Sequence, residues 1–157
     1  MRTGNRLERG RMSREILFKA KRKNWRELPK KEWWIEGNLI TDEMDADVAY
    51  IGYVLGSENG VIHDIDVVQI APETLCQYTG LTDKNGKRIW ENDIVKTSKF
   101  GKENGNGQNY AGFDEFVVKW DDGGFALFNK WRRFNLREDE KSYKVSGNIF
   151  DNPELLE

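Results

Sequence analysis

His63 and Cys76 are the single histidine and the single cysteine of the sequence, and together they are its only obvious nucleophile and base. A thiolate beside an imidazole can attack a carbonyl, provided a third group orients the ring. Asp64 follows His63, but in an extended segment successive side chains face opposite sides, so it is not placed to do so. A histidine without chemistry is the better reading. One Cys and one His cannot complete a zinc site of those two residue types, and a lone Cys excludes an internal disulfide framework. Asp42, Glu43, Asp45 and Asp47 could gather a divalent cation weakly, although a solvated acidic loop is the commoner outcome. Asp83-Lys84-Asn85-Gly86 imitates part of a calcium loop, but it sets Leu81 where the first carboxylate belongs. Residues 105–110 begin like a dinucleotide fingerprint, yet Tyr110 occupies the third glycine position and no helix follows. No carboxylate spacing singles out a hydrolytic pair. The sequence therefore predicts no catalytic residue, no metal site, no cofactor, and a protein that is not an enzyme.

Two mixed basic and aromatic sets point to binding instead. Lys21, Arg22, Lys23, Trp25 and Arg26 form the first, with Lys19 beside it; Lys130, Trp131, Arg132, Arg133 and Phe134 form the second. Such mixtures suit single-stranded nucleic acid, where cations meet phosphates and rings stack on bases. The plainer reading makes the rings core and the cations rim. Trp90 either covers one end of a core or is exposed for a partner. Charge along the chain bears on the choice. Residues 1–32 hold twelve Lys or Arg and four Asp or Glu, residues 33–83 hold ten acidic residues and no Lys or Arg, and the remainder balances, for a net charge of −2. A basic arm invites an anionic partner. An adjacent acidic segment of nearly equal charge can neutralise it, within one chain or across an oligomer.

These residues must be positioned by short strands. Residues 14–20, 48–55, 61–70, 93–97, 115–120, 125–128 and 143–150 read as strands, separated by tight turns at 56–60, 83–86 and 121–124. A bulge is expected within 61–70. Gly37-Asn38 carries a two-residue hairpin signal. Residues 101–112, with four Gly and three Asn, read as a long hairpin loop. Met44 is the one buried candidate in the acidic stretch 42–47. No apolar run approaches the ~20 residues of a membrane-spanning helix. Residues 1–11 are too polar for a secretory signal; they read as a disordered leader, translated upstream of a natural start at Met12. The predicted fold is mainly β, with a β-rich α+β arrangement as the alternative. It comprises an N-terminal β-hairpin section over 12–71 and a C-terminal SH3-like small barrel over 72–157.

The run 72–95, PETLCQYTGLTDKNGKRIWENDIV, resembles the signature of the YopX family. The tail 145–156, VSGNIFDNPELL, is similar to that family's closing segment, and 14–20, REILFKA, to its opening. Lys21-Arg22 replaces an aromatic-acid pair of the family, and Cys76 stands where a small residue such as Gly is usual. The resemblance implies a protein of bacteriophages and prophages, working in the cytoplasm of the bacterial host. It also implies a mostly β structure with a barrel-like C-terminal part, and no defined activity. Within the signature, Gly80 and Gly86 supply unusual backbone angles, Asp83 and Asn85 bond their own turn, and Asp93 caps the turn before a strand. The expected function is that of a non-catalytic accessory module that self-associates and binds a host or phage protein, without a membrane. Nucleic-acid binding through the basic arm and residues 131–134 is the alternative, and an enzyme with an unrecognised carboxylate site is the third reading.

Overall fold

The computed structural model describes residues 15–103, 106–110 and 112–156. The expected leader, residues 1–11, and the expected start at Met12 lie outside them. The chain divides into two compact units, Met1–Gly80 and Leu81–Glu157, one strand beyond the junction expected at Pro72. Both are built from antiparallel strands, and among the described residues the only helices are short 3-10 turns.

The first unit contains β1 (Phe18–Lys21), β2 (Trp34–Thr41), β3 (Ala49–Glu58), β4 (Val61–Gln69) and β5 (Cys76–Thr82), which runs past the division. Their order in the sheet is β4-β3-β2-β1-β5. Ala20, Ile35, Ala49, Ile51 and Ile70 make its buried core. β2 is one continuous strand, so the hairpin expected at Gly37-Asn38 is not formed. Close approach explains this glycine better than a turn does: a Cβ at Gly37 would lie 2.6 Å from the Gly52 carbonyl oxygen. The genuine turn is Asn59-Gly60, whose φ values of 52° and 78° suit a two-residue connection between twisted strands. The irregularity expected in β4 is present at His63, which is left without a partner between the Gly56–Asp64 and Ser57–Ile62 pairs, and a second one falls in β3 at Leu55. Met44 is 94 % exposed rather than buried, because residues 42–47 form turns with no strand partner.

β3 and β4 outrun the rest of their sheet. β2 pairs with β3 only over Ala49–Gly52, whereas β3 and β4 remain paired to each other out to Glu58 and Val61. Residues 53–58 and 61–66 thus form a two-stranded arm.

The second unit contains β6 (Arg88–Trp90), β7 (Asp93–Thr97), β8 (Lys102–Glu103), β9 (Asn109–Tyr110), β10 (Asp114–Asp121), β11 (Gly124–Phe128), β12 (Arg133–Asn135) and β13 (Lys144–Asn148). Five strands form an open sheet ordered β12-β11-β10-β7-β13, and β8 pairs with β9. β12 and β13 remain edges, so the expected barrel is not closed. Strand periodicity directs Phe116 and Val118 into a core with Ile89, Val95, Leu127, Tyr143 and Val145, and turns Val117 and Lys119 to the opposite face. Phe100 and Phe134 stack with ring centroids 3.6 Å apart, and both meet Phe116 edge-on.

Candidate functional site

The first basic and aromatic set does assemble, but inwards. Lys21 ends β1 directly opposite Trp34, the first residue of β2. A 3-10 turn over Trp25–Glu27 brings Trp25 alongside, edge-on to Trp33 at 4.8 Å. The Lys21 ammonium lies 3.9 Å from the Trp25 ring centroid, 4.4 Å from Trp33 and 5.5 Å from Trp34. With only 2 % of its surface exposed, Lys21 presents its charge to indole faces and not to a solvent-borne anion. Around the cluster, the Arg26 guanidinium packs on Trp25 at 4.4 Å and Lys19 on Trp34 at 4.8 Å. Arg22 Nη1 donates to the carbonyls of Glu32 and Trp34, at 2.8 and 3.3 Å. Lys23 is exposed. Sequence reasoning missed Trp33 and Trp34; their signal was a pair of tryptophans at the start of a segment with no cation of its own.

The signature turn is internally satisfied. Asp83 Oδ1 accepts the backbone N–H groups of Asn85 and Lys87, each at 2.9 Å, and Oδ2 accepts that of Val145 at 3.0 Å. Burial pushes this carboxyl up, but the N–H groups of Val145, Lys87 and Asn85 together hold it below the usual carboxylate range. Gly86 and Gly80 have φ of 79° and 86°. Asp93 Oδ2 accepts the Trp90 N–H at 2.8 Å, and Trp90 is buried.

In the second set, Arg132 is a clamp. Its Nη1 donates to the Phe100 carbonyl at 2.7 Å, and its Nη2 to Gly101 O at 2.7 Å and Asp114 Oδ2 at 2.6 Å. Arg133 pairs with Asp121 at 2.7 Å. Trp131 stays 50 % exposed beside the Lys130 ammonium, 4.8 Å from its ring. These two residues edge a groove of about 940 Å³ on the face of the sheet away from its core. Phe113, Val117, Phe128, Leu155 and Leu156 supply its apolar surface, and Lys96, Lys119 and Lys130 its cations. Asp114, also in the groove, is taken up by Arg132 and Asn129.

Cys76 is buried in β5 with its thiol 3.3 Å from the Thr74 carbonyl, while His63 lies on the arm with its ring against Gly56. In the acidic loop, Asp42 and Asp45 accept the backbone N–H groups of Met44 and Asp47. Among the described residues no group of three His, Cys, Asp or Glu side chains is arranged to hold a metal ion. No described helix is long and apolar enough to cross a membrane.

Among the described residues the arm carries the largest run of exposed aliphatic side chains. Val54 and Ile65 are directly opposite one another, with Val67 on the same face, and all three are exposed. Val61, Ile62 and Leu55 extend the apolar surface toward the tip, Val61 with 66 % of its area in solvent.

Comparison with solved structures finds a similar fold in the crystal structure of protein EF1440 from Enterococcus faecalis, with 22% identity and a TM-score of 0.53, covering 92% of this chain and 100% of that one. No curated protein matches the chain. The family model described as YopX protein matches residues 24–157, nearly the whole sequence, and the chain belongs to that family.

Proposed function

We propose that the protein is a non-catalytic binding module that self-associates through the β3–β4 arm and, in that state, engages a host or phage protein. The observation that carries this reading is the arm itself. A two-stranded ribbon is marginally stable in water when neither face is covered. Here one exposed face bears Val54, Ile65 and Val67, and β4 is an edge strand with a row of backbone groups on its outer side. Edges of this kind are normally blunted by lysines, prolines or a covering element, because they template pairing with another chain. Residues 61–69 contain neither Lys nor Pro. The cations of the tryptophan cluster are engaged with their own rings and carbonyls, which supports a structural role for that set.

The arm is tested by Ile65→Asp, which adds a charge to a surface position without touching the core. Light scattering coupled to size exclusion should show the wild type above monomer mass. The variant should have a mass shifted to monomer and an unchanged far-ultraviolet circular dichroism spectrum. A wild type and variant of equal mass at equal concentration would reject the arm as the contact.

A further inference from the structure

We propose that the groove of the second unit receives the β3–β4 arm of another copy of the chain, an inference that rests on the self-association proposed above and names its receiving surface. The two surfaces are complementary in both of the properties that decide recognition. The arm is aliphatic and acidic: Val54, Ile65 and Val67 share a face, while Asp64 and Asp66 alternate with them on the other face, where Asp66 accepts the Tyr53 hydroxyl at 2.6 Å, and Glu58 adds a carboxylate near the tip. No Lys or Arg occurs anywhere from residue 33 to residue 83 to offset them.

The groove is apolar and cationic. Val117 and Phe128 face each other across β10 and β11, with Trp131 and Leu156 half exposed at its borders. The charges around it do not cancel. The Lys119 ammonium donates to the neutral Asn92 amide oxygen at 2.6 Å, and that of Lys130 lies over its own Trp131 ring. Lys96 has only a long, exposed contact of 3.8 Å with Glu115. Asp114 is neutralised by Arg132. Among the described residues lining the groove, three lysines thus surround an apolar surface with one carboxylate, Glu115, to set against them beyond the Asp114 that Arg132 holds.

A ribbon laid on this face would pack as one sheet on another, with aliphatic side chains between, while the carboxylates on its outer face act on the groove lysines through their field, over a Debye length of ~10 Å at 0.1 M salt. Desolvated apolar area would supply affinity, and the opposite charges would set orientation and suppress arm-to-arm pairing, which would bring carboxylates together. The contact is heterologous, arm to groove. It therefore closes as a ring of two or more copies, or grows with concentration if it does not close.

Charge reversal separates this inference from the reading beneath it. Glu58→Lys with Asp64→Lys reverses the arm; Lys119→Glu with Lys130→Glu reverses the groove. All four positions are exposed. Each double variant, confirmed as folded by circular dichroism, should associate at least tenfold more weakly than wild type in sedimentation velocity. An equimolar mixture of the two should regain association, since a lysine-bearing arm then meets a glutamate-bearing groove. Groove reversal that leaves self-association intact, while Ile65→Asp abolishes it, would overturn the groove as receiver and leave the arm as the contact. A wild type that stays monomeric at every concentration would overturn both. So would a monomeric wild type whose groove lysines instead bind a single-stranded oligonucleotide with a steep salt dependence.

Discussion

Lys21 balances two opposing effects. Enclosure removes the hydration of its ammonium, and the faces of Trp25, Trp33 and Trp34 return part of that loss through their quadrupoles. A desolvated cation–π contact contributes about 2 kcal/mol or more, so Lys21→Ala should lower the unfolding free energy by at least that amount. Lys23→Ala, two residues on and exposed, should stay within about 0.5 kcal/mol. Urea unfolding followed by tryptophan fluorescence measures both. Asp83 makes a pH-dependent prediction. Its native carboxyl titrates below the unfolded value, so the native state binds fewer protons in acid. Its contribution is complete above the unfolded carboxylate pKa of about 3.9 and is lost as pH falls through the lower native value. Asp83→Asn should cost about 1.5–3 kcal/mol at neutral pH, the range for hydrogen bonds to a charged group. Unfolding titrations from pH 7 downward should show the gap between wild type and variant hold steady and then close below about pH 4.

At the scale of the elements, Gly37 distinguishes a turn from a close approach. Its Cβ would meet the backbone of Gly52, which cannot swing aside as a side chain can. Gly37→Val should therefore cost about 1–3 kcal/mol, as overpacking does, although valine otherwise favours strands. Thermal unfolding would register it as a lowered midpoint. The same residue marks where sequence reading stopped being sufficient. Strand periodicity located most strands, and the Asn59-Gly60 and Asp122-Gly123 turns were legible from residue type, because φ above zero limits the choice to few residues. Gly37-Asn38 has the same composition without that backbone, and only the neighbouring strand explains the glycine. The candidate surfaces were legible in part. Trp131 and the neighbouring cations stood out by composition, but Arg132 turns inward, onto the carbonyls of Phe100 and Gly101. Val117, Phe128, Leu155 and Leu156 come from three separate segments, and no local pattern joins them. The arm escaped notice because an apolar-acidic strand looks alike whether or not a third strand covers it. What exposes 53–66 is that β2 stops pairing at Gly52.

For the whole molecule, charge distribution and exposed surface favour the same account. Acidic residues and exposed aliphatic side chains coincide on the arm, and lysines surround an apolar groove in the second unit. Contacts between such surfaces weaken as salt shortens the Debye length, from about 10 Å at 0.1 M to about 3 Å at 1 M. The most direct measurement is the solution mass of the full chain by sedimentation equilibrium, across a concentration series at low and high salt. The account predicts a mass above that of the 18.3 kDa chain, rising with concentration and falling as salt is added. A constant 18.3 kDa at every concentration and at both salts would contradict it.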